Sequence, residues 1–430
     1  MKIRIRELVL ALLFSLSTAA AFSQRISPLA PTPDWSRLEA YQETITRGEF
    51  KALLDEVYAP GGAAQGVIEI AEDAAVIKTA LVPPAEFRLR FAKDAASARP
   101  VPRWWRPAAT LGVAPAELPL QGVKIAIDPG HIGGDWAKME ERWFRIGESK
   151  PVAEGEMTLL VARWLAPQLR AFGAEVSLVR DALAPVTSQR PETLHEAARA
   201  ELALEGVHEP RLTYDAAQKD DPGRGQTVQW HSERLFYRIS EIRTRAELVN
   251  RRLQPDLILC LHFNAEAWGG DPKNPQFVPR NHLHLLVNGC YSAGELRFDD
   301  QRSELLHKLL NRSFAEETAA SEAIAASIAL AAGLPPYTYT TGNARRVGDS
   351  PFVWARNLLA NRLYEAPVVF LEPYVMNSEE VWARVQAGDY EGERMVAGSM
   401  RKSLVREYAD AVAVGVRDYF AKARQTQVVK

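Results

Sequence analysis

The sequence has few cysteines and almost no excess charge. Of its 430 residues only Cys260 and Cys290 are cysteines, and they form no C-x-x-C pair, which excludes a zinc site built from cysteines. Basic residues number 52 and acidic residues 54, for a formal net charge of −2. No global positive field therefore favours a nucleic acid, and we expect no nucleic-acid partner.

No apolar run is long enough to span a membrane, and the most apolar stretch lies near the N-terminus. Basic residues within the first six precede an apolar run that is short for a bilayer span, and Ala21 and Ser23 have the spacing of a signal-peptidase site. We expect residues 1–23 to be a cleaved signal peptide, which leaves an exported, periplasmic or extracellular protein without a membrane span. A retained membrane anchor is the alternative.

Export would permit a disulfide between Cys260 and Cys290. Cys260 lies within an apolar run, however, which is typical of a buried small residue. We therefore favour two unpaired cysteines.

The composition and a proline-rich stretch within the chain predict two domains. Hydrophobic residues make up 47% and charged residues 25% of the chain, as in ordinary globular proteins. Residues 26–98 combine one helical pattern with alternating strand patterns, and predict a small α+β domain. Residues 99–120 are rich in proline and predict a linker, followed by a larger domain over 121–425. Trp104 and Trp105 in the linker either stack on a sugar or pack against their own domain.

The larger domain has an α/β pattern. An apolar strand over 123–128, a helix over 154–172 and a strand over 175–181 predict a right-handed parallel unit. Pro167 predicts a kink or break in that helix. Further strands and long helices over 303–332 and 400–423 complete the pattern. We expect a three-layer fold with a mostly parallel mixed sheet, covered by helices on both faces.

Polar residues end three of the predicted strands. His131 follows the first, His262 ends DLILCLH, and Glu372 ends PVVFLE. Ligands of open α/β sheets bind at the carboxyl ends of the strands, so these side chains converge if the strands are neighbours. The alternative is that they only cap their strands.

Two imidazoles and one carboxylate form a common hydrolytic zinc set, which leaves a fourth position for water. Glu154 opens the helix after the first strand and is the candidate for the carboxylate. Glu156, two residues further along, is the alternative carboxylate. It points to another side of the same helix.

Four motifs, in order, resemble those of the zinc-dependent N-acetylmuramoyl-L-alanine amidase family of the cell-wall-lytic type. They are IDPGHIGGD, EGEMTLLVARWL, RAELVNRRLQPDLILCLHFNA and NRLYEAPVVFLEPYVMN. The resemblance covers roughly the last 300 residues. Ile132, directly after the first histidine, and Pro373-Tyr374, after the last glutamate, depart from the family pattern.

The resemblance implies a zinc enzyme that cleaves the amide between N-acetylmuramic acid and L-alanine in peptidoglycan. It assigns His131, Glu154 and His262 as the Zn²⁺ ligands and Glu372 as the general base. It also leaves room for an activator protein of unknown identity. A zinc peptidase acting on stem peptides and an inactive wall-binding protein are the alternatives.

The remaining polar residues each have two alternative roles. Asp128 either orients His131 or caps the turn after the first strand, and Asn264 either orients substrate or closes a turn. Arg362 either binds a peptide carboxylate or forms a surface salt bridge. His282 and His284 share a strand face, and a polar face on an edge strand is favoured over a metal site.

Residues 182–240 form an insertion that leaves the sheet at the end where the histidines lie. Long insertions in compact domains are usually functional lids or mobile decoration. We expect a lid over the site, with an appendage that packs on the first domain as the alternative.

Overall fold

A computed structural model describes residues 24–215, 221–271 and 274–425. The predicted signal peptide lies outside the described residues. None of the helices in these ranges is long and apolar enough to cross a membrane.

The N-terminal unit contains one helix and one small sheet. Helix α1 covers Arg47–Leu53, and strands β1 Ile68–Ile70, β2 Ala74–Leu81 and β3 Pro84–Arg90 form an antiparallel sheet in that order. Thr46 caps α1 through a reciprocal capping box with Glu49.

The rest of the described chain alternates helices and strands. The helices are α2 Glu154–Ala171, α3 His195–Leu204, α4 Val228–Arg234, α5 Glu241–Leu248, α6 Asp299–Asn311, α7 Phe314–Ala332, α8 Leu359–Leu363, α9 Glu379–Ala387 and α10 Leu404–Gln425. The strands are β4 Lys124–Pro129, β5 Trp143–Phe144, β6 Val152–Ala153, β7 Glu175–Leu178, β8 Leu257–Leu261, β9 Gly269–Asp271, β10 Asn274–Gln276, β11 Leu283–Val287, β12 Ala344–Arg346, β13 Val353–Arg356, β14 Val368–Pro373, β15 Glu393–Val396 and β16 Ser399–Lys402.

Seven strands form the main sheet in the order β12-β13-β11-β14-β8-β4-β7. The pairs β13–β11, β14–β8, β8–β4 and β4–β7 are parallel, whereas β12–β13 and β11–β14 are antiparallel. The predicted mostly parallel mixed sheet is confirmed.

Helices cover both faces of this sheet. On one face, α2, α7 and α10 pack against alternate residues of β4 and β8, such as Ile127 and Leu259. On the other face, Ala246 and Val249 pack against Ile258. All five residues of β8 are buried, which explains its uniformly apolar sequence.

The N-terminal unit shares its hydrophobic core with the larger domain. Phe50 and Ile77 of the unit belong to one buried cluster with Val287 of β11, Leu305 of α6 and Val353 of β13. Packing therefore joins the two parts without a separating layer.

The linker packs on the protein as well. Trp105 is buried and donates from Nε1 to Asn311 Oδ1 at 2.7 Å, and Trp104 Nε1 donates to Glu365 at 3.1 Å. These contacts favour the packing alternative for the tandem tryptophans. Cys260 and Cys290 are both buried and free.

Three helix predictions differ from the structure. Of the kink or break predicted at Pro167, the break does not occur, because α2 continues to Ala171 and its buried residues pack on the sheet along the whole length. The predicted helix over 303–332 is two helices, since Arg312 adopts a left-handed conformation with φ 63° between them. The last helix begins at Leu404, after the β15–β16 hairpin.

Close packing of α7 on α10 predicts a destabilising substitution. A Cβ added to Gly415 would lie 2.5 Å from Ile324 Cα. We expect Gly415→Ala to lower the free energy of unfolding by roughly 1–3 kcal/mol, although alanine favours helix by about 1 kcal/mol. Chemical denaturation measures this. Gly48→Ala in α1, where a Cβ meets nothing within 4 Å, is the control and should not destabilise; equal effects of both would contradict the prediction.

Candidate metal centre and active site

The sheet brings the polar strand ends together. β4, β8 and β14 are adjacent and parallel, so their carboxyl ends share one edge of the sheet. His131 follows β4, His262 follows β8, and Glu372 lies near the end of β14. Glu154 is the first residue of α2 and is 1% exposed at the same edge.

His131, Glu154 and His262 form a compact cluster. Each offers one ligand atom, and the three atoms lie within 4.8 Å of one another. Glu154 Oε2 is 3.2 Å from His131 Nε2, and Glu154 Oε1 is 3.0 Å from His262 Nδ1. Two imidazole nitrogens and a carboxylate at this spacing can hold a divalent metal ion. The rival Glu156 is exposed.

Close packing sets the position of His262. Its ring stacks on Phe370 of β14 with centroids 4.3 Å apart. On its other side a Cβ at Gly130 would lie within 2.6 Å of three ring atoms, so only glycine leaves room for the imidazole there.

Arg245 holds the turn that carries His131. Its guanidinium donates to Asp128 Oδ1, Pro129 O and His131 O, each at 2.9 Å. His131 itself has a φ of 59°, a conformation that costs a non-glycine residue free energy. Glu241, four residues before Arg245, accepts a further hydrogen bond at 2.8 Å.

Glu140 is a site residue that the sequence reasoning missed. It is 2% exposed, and its carboxylate accepts from the backbone N–H groups of Ile132 and Gly133 at 2.9–3.0 Å. Its Oε1 also lies 3.5 Å from His131 Nδ1. Glu140 therefore orients the imidazole, which was one of the two alternative roles of Asp128. No sequence pattern marks it, because it lies in an irregular loop nine positions after His131.

Charge–charge contacts dominate the cluster. Burial lowers the pKa of His131, but Glu154 and Glu140 outweigh burial and raise it to about 9. Burial raises the pKa of Glu154, yet His131 and His262 hold it well below its usual range. Burial lowers the pKa of His262. At neutral pH the site therefore presents an ionised carboxylate between the two rings.

Glu372 lies beside this cluster. Burial, followed by the charge of Glu154, raises its pKa to about 8. In the β11–β14 register its Cα partner is His284. The residue predicted as a base thus stands on the strand next to β8 and on the side of the sheet that carries His262.

Other predicted residues do not face the cluster. Asp128 bonds to Arg245 and to the Tyr364 hydroxyl. Asn264 Oδ1 accepts from the next backbone N–H at 2.7 Å, which favours the turn-closing alternative. Arg362 precedes β14, at the opposite end of that strand from Glu372.

Arg362 is buried and paired with Glu304, and it donates to Asn357. These contacts favour the salt-bridge alternative for Arg362, although the pair is buried and not at the surface. The expected polar face on an edge strand is wrong for His282 and His284, because β11 lies between β13 and β14. Both histidines are buried, and His282 Nε2 is bonded to Glu266 at 2.9 Å.

The insertion over 182–240 packs on the loop that follows His131. Ile132 is fully buried in a cluster with residues of the insertion, namely Leu194, Ala198, Leu202, Val228, Leu235, Phe236 and Tyr237. The rings of Trp136 and Phe236 are 5.0 Å apart. The insertion thus supports the metal-site loop from outside, and the predicted lid role stays a prediction.

No family model and no curated protein matches the sequence. Among solved structures the chain is similar to amidases. Ami1 of Mycobacterium abscessus, an N-acetylmuramyl-L-alanine amidase, is 16% identical, with 70% of this chain and 99% of that chain covered and a TM-score of 0.36.

The CwlD amidase of Clostridioides difficile, solved with the GerS lipoprotein, is 12% identical, with 69% and 98% coverage and a TM-score of 0.37. The N-acetylmuramoyl-L-alanine amidase AmiC2 of Nostoc punctiforme is 14% identical, with 70% and 98% coverage and a TM-score of 0.34.

The contacts of Glu140 predict a loss of metal affinity on substitution. Glu140→Gln replaces an acceptor of two N–H groups with a side chain that also donates, which should loosen the His131 loop. We expect Zn²⁺ affinity to fall roughly 10- to 100-fold, measured by competition with a chromogenic chelator. The exposed Glu148→Gln is the control; equal affinities of the two variants would refute the orienting role.

Proposed function

We propose that the protein is a zinc-dependent N-acetylmuramoyl-L-alanine amidase that hydrolyses the amide between N-acetylmuramic acid and L-alanine in peptidoglycan. The observation that carries the proposal is the cluster of His131, Glu154 and His262 with Glu372 on the adjacent strand. A two-histidine, one-carboxylate set is the usual ligand set of a hydrolytic zinc site.

His131, Glu154 and His262 would hold the zinc ion, which would supply Lewis-acid polarisation of the scissile carbonyl and a nucleophile from water at neutral pH. Glu372 takes the proton of the attacking water and passes it to the leaving amine of L-alanine. Glu140 and Arg245 act through His131, because they hold its ring and its backbone. Phe370 excludes water from one face of His262.

The choice of this amide bond rests on the four sequence motifs, because the metal set alone suits amidases and peptidases alike. An exported protein that meets peptidoglycan outside the cytoplasm agrees with the predicted signal peptide. Regulation by an activator protein is compatible with this function.

A release assay on purified sacculi tests the proposal. The zinc-loaded protein should generate free amino groups on L-alanine and leave the glycan strands intact. New amino ends elsewhere in the stem would identify a peptidase instead. Absence of any product from zinc-loaded protein that still binds sacculi would identify a wall-binding protein.

The role of Glu372 predicts a separation of turnover from metal binding. Glu372→Gln keeps the shape and removes the base, so turnover should fall about 10²- to 10⁴-fold while Zn²⁺ remains bound. Steady-state rates on sacculi and the zinc content of the purified variant measure the two effects. Glu379→Gln, on the exposed start of α9, is the control, and loss of zinc from Glu372→Gln would make Glu372 a ligand.

A further inference from the structure

A group of polar side chains extends from Glu372 along the same face of the sheet. We call His284, Tyr339, Trp354 and Arg356 the ledge. His284 is directly opposite Glu372 in the antiparallel β11–β14 pair, so the two side chains share a face. The Tyr339 ring lies 5.4 Å from the His284 ring and 5.2 Å from Trp354. Arg356 Nη1 donates to the Tyr339 hydroxyl at 3.3 Å.

Two buried nitrogens of the ledge have unused hydrogen-bonding capacity. His284 Nδ1 and Trp354 Nε1 find no partner among the described residues, and His284 is only 3% exposed. Most buried polar groups in folded proteins are hydrogen-bonded, and an unpaired one is costly. A polar ligand on the ledge would satisfy such atoms.

The outer strands β12 and β13, next to β11, carry positive charge. Within the described chain no carboxylate oxygen lies within 4.0 Å of the side-chain nitrogens of Arg345, Arg346 or Arg356. Arg346 pairs across the strands with Trp354 and therefore lies on the ledge face, whereas Arg345 pairs with Ala355 and lies on the other face. Arg356 is half-buried and in reach of a bound ligand.

These groups select an anion. The arginine and the indole N–H are donors only, and the tyrosine hydroxyl can donate while it accepts from Arg356. Burial lowers the pKa of His284 to about 3, so this ring adds no charge at neutral pH. Arginine pairs well with a planar carboxylate through parallel hydrogen bonds.

The position of the ledge indicates which part of the substrate it meets. A base that returns its proton to the leaving amine must lie next to that amine. The released peptide therefore begins near Glu372, and the ledge is the adjoining surface on the same face. A carboxylate close to the start of the stem peptide would reach Arg356.

We propose that Arg356, with Tyr339 and Trp354, binds a free carboxylate of the stem peptide on the leaving side of the scissile amide. This inference rests on the proposed amidase function and adds a specificity determinant to it. The carboxylate of the second residue is the one nearest the amide that is not part of the peptide chain.

Two substrates that differ at one group test the inference. Both are N-acetylmuramoyl dipeptides whose terminal γ-carboxyl is capped as a methylamide, with D-isoglutamate in one and D-isoglutamine in the other as the second residue. We expect the wild-type kcat/KM to be roughly 10- to 100-fold higher for the carboxylate than for the carboxamide. Arg356→Gln should lose this preference, while Arg356→Lys should keep part of it.

Arg345→Gln is the matched control, since it removes one unpaired charge from the neighbouring strand on the opposite face. It should keep the wild-type preference. The proposed carboxylate site is overturned if the wild-type enzyme hydrolyses both substrates equally or if Arg356→Gln still prefers the carboxylate. Either result leaves the amidase proposal intact.

Calorimetric binding of the dipeptide L-alanyl-D-isoglutamate, with its γ-carboxyl capped as a methylamide, gives a readout without turnover. We expect binding that weakens at least tenfold in Arg356→Gln and with the isoglutamine form. If neither substrate is hydrolysed but this pattern of binding holds, the amidase proposal fails and the carboxylate site stands. Binding that is absent or insensitive to Arg356 overturns the site.

Discussion

The buried guanidinium of Arg245 is the contact on which the candidate site depends most. It is 4% exposed and joins α5 to the turn after β4 by hydrogen bonds to Asp128 and to the carbonyls of Pro129 and His131. Removing one partner of a buried ion pair usually costs about 3–5 kcal/mol, so these groups depend on one another. The left-handed conformation of His131 persists because this network surrounds it.

Support for the site comes from three directions. α2 begins with Glu154 and places its carboxylate between the two imidazoles. Hydrophobic residues of the insertion bury Ile132 and so support the loop after His131. Phe370 of β14 stacks on the ring of His262. Packing or hydrogen bonds from neighbouring elements therefore hold each member of the cluster, which favours a preorganised geometry.

Acidic and basic side chains occupy different strands of the main sheet. The acidic groups Glu154 and Glu140 surround the histidines, where a cation would bind. Among the described residues, arginines without an acidic partner lie on the outer strands β12 and β13. A substrate that lies across β14 would place its scissile bond at the acidic cluster and its negative charge at the basic edge. The separation arises from strand order, since β11 stands between β13 and β14.

Local sequence determined much of this protein. Uniform apolar runs followed by His131, His262 and Glu372 predicted buried parallel strands with polar ends, because both signals lie within a few consecutive residues. Only the tertiary structure decided the remaining points. The choice of Glu154 over Glu156, the place of Glu140 beside His131 and the central position of β11 depend on contacts between segments far apart in the chain. Periodicity shows which face of an element is apolar, but not which neighbour covers it, and that neighbour sets the surroundings of each polar group.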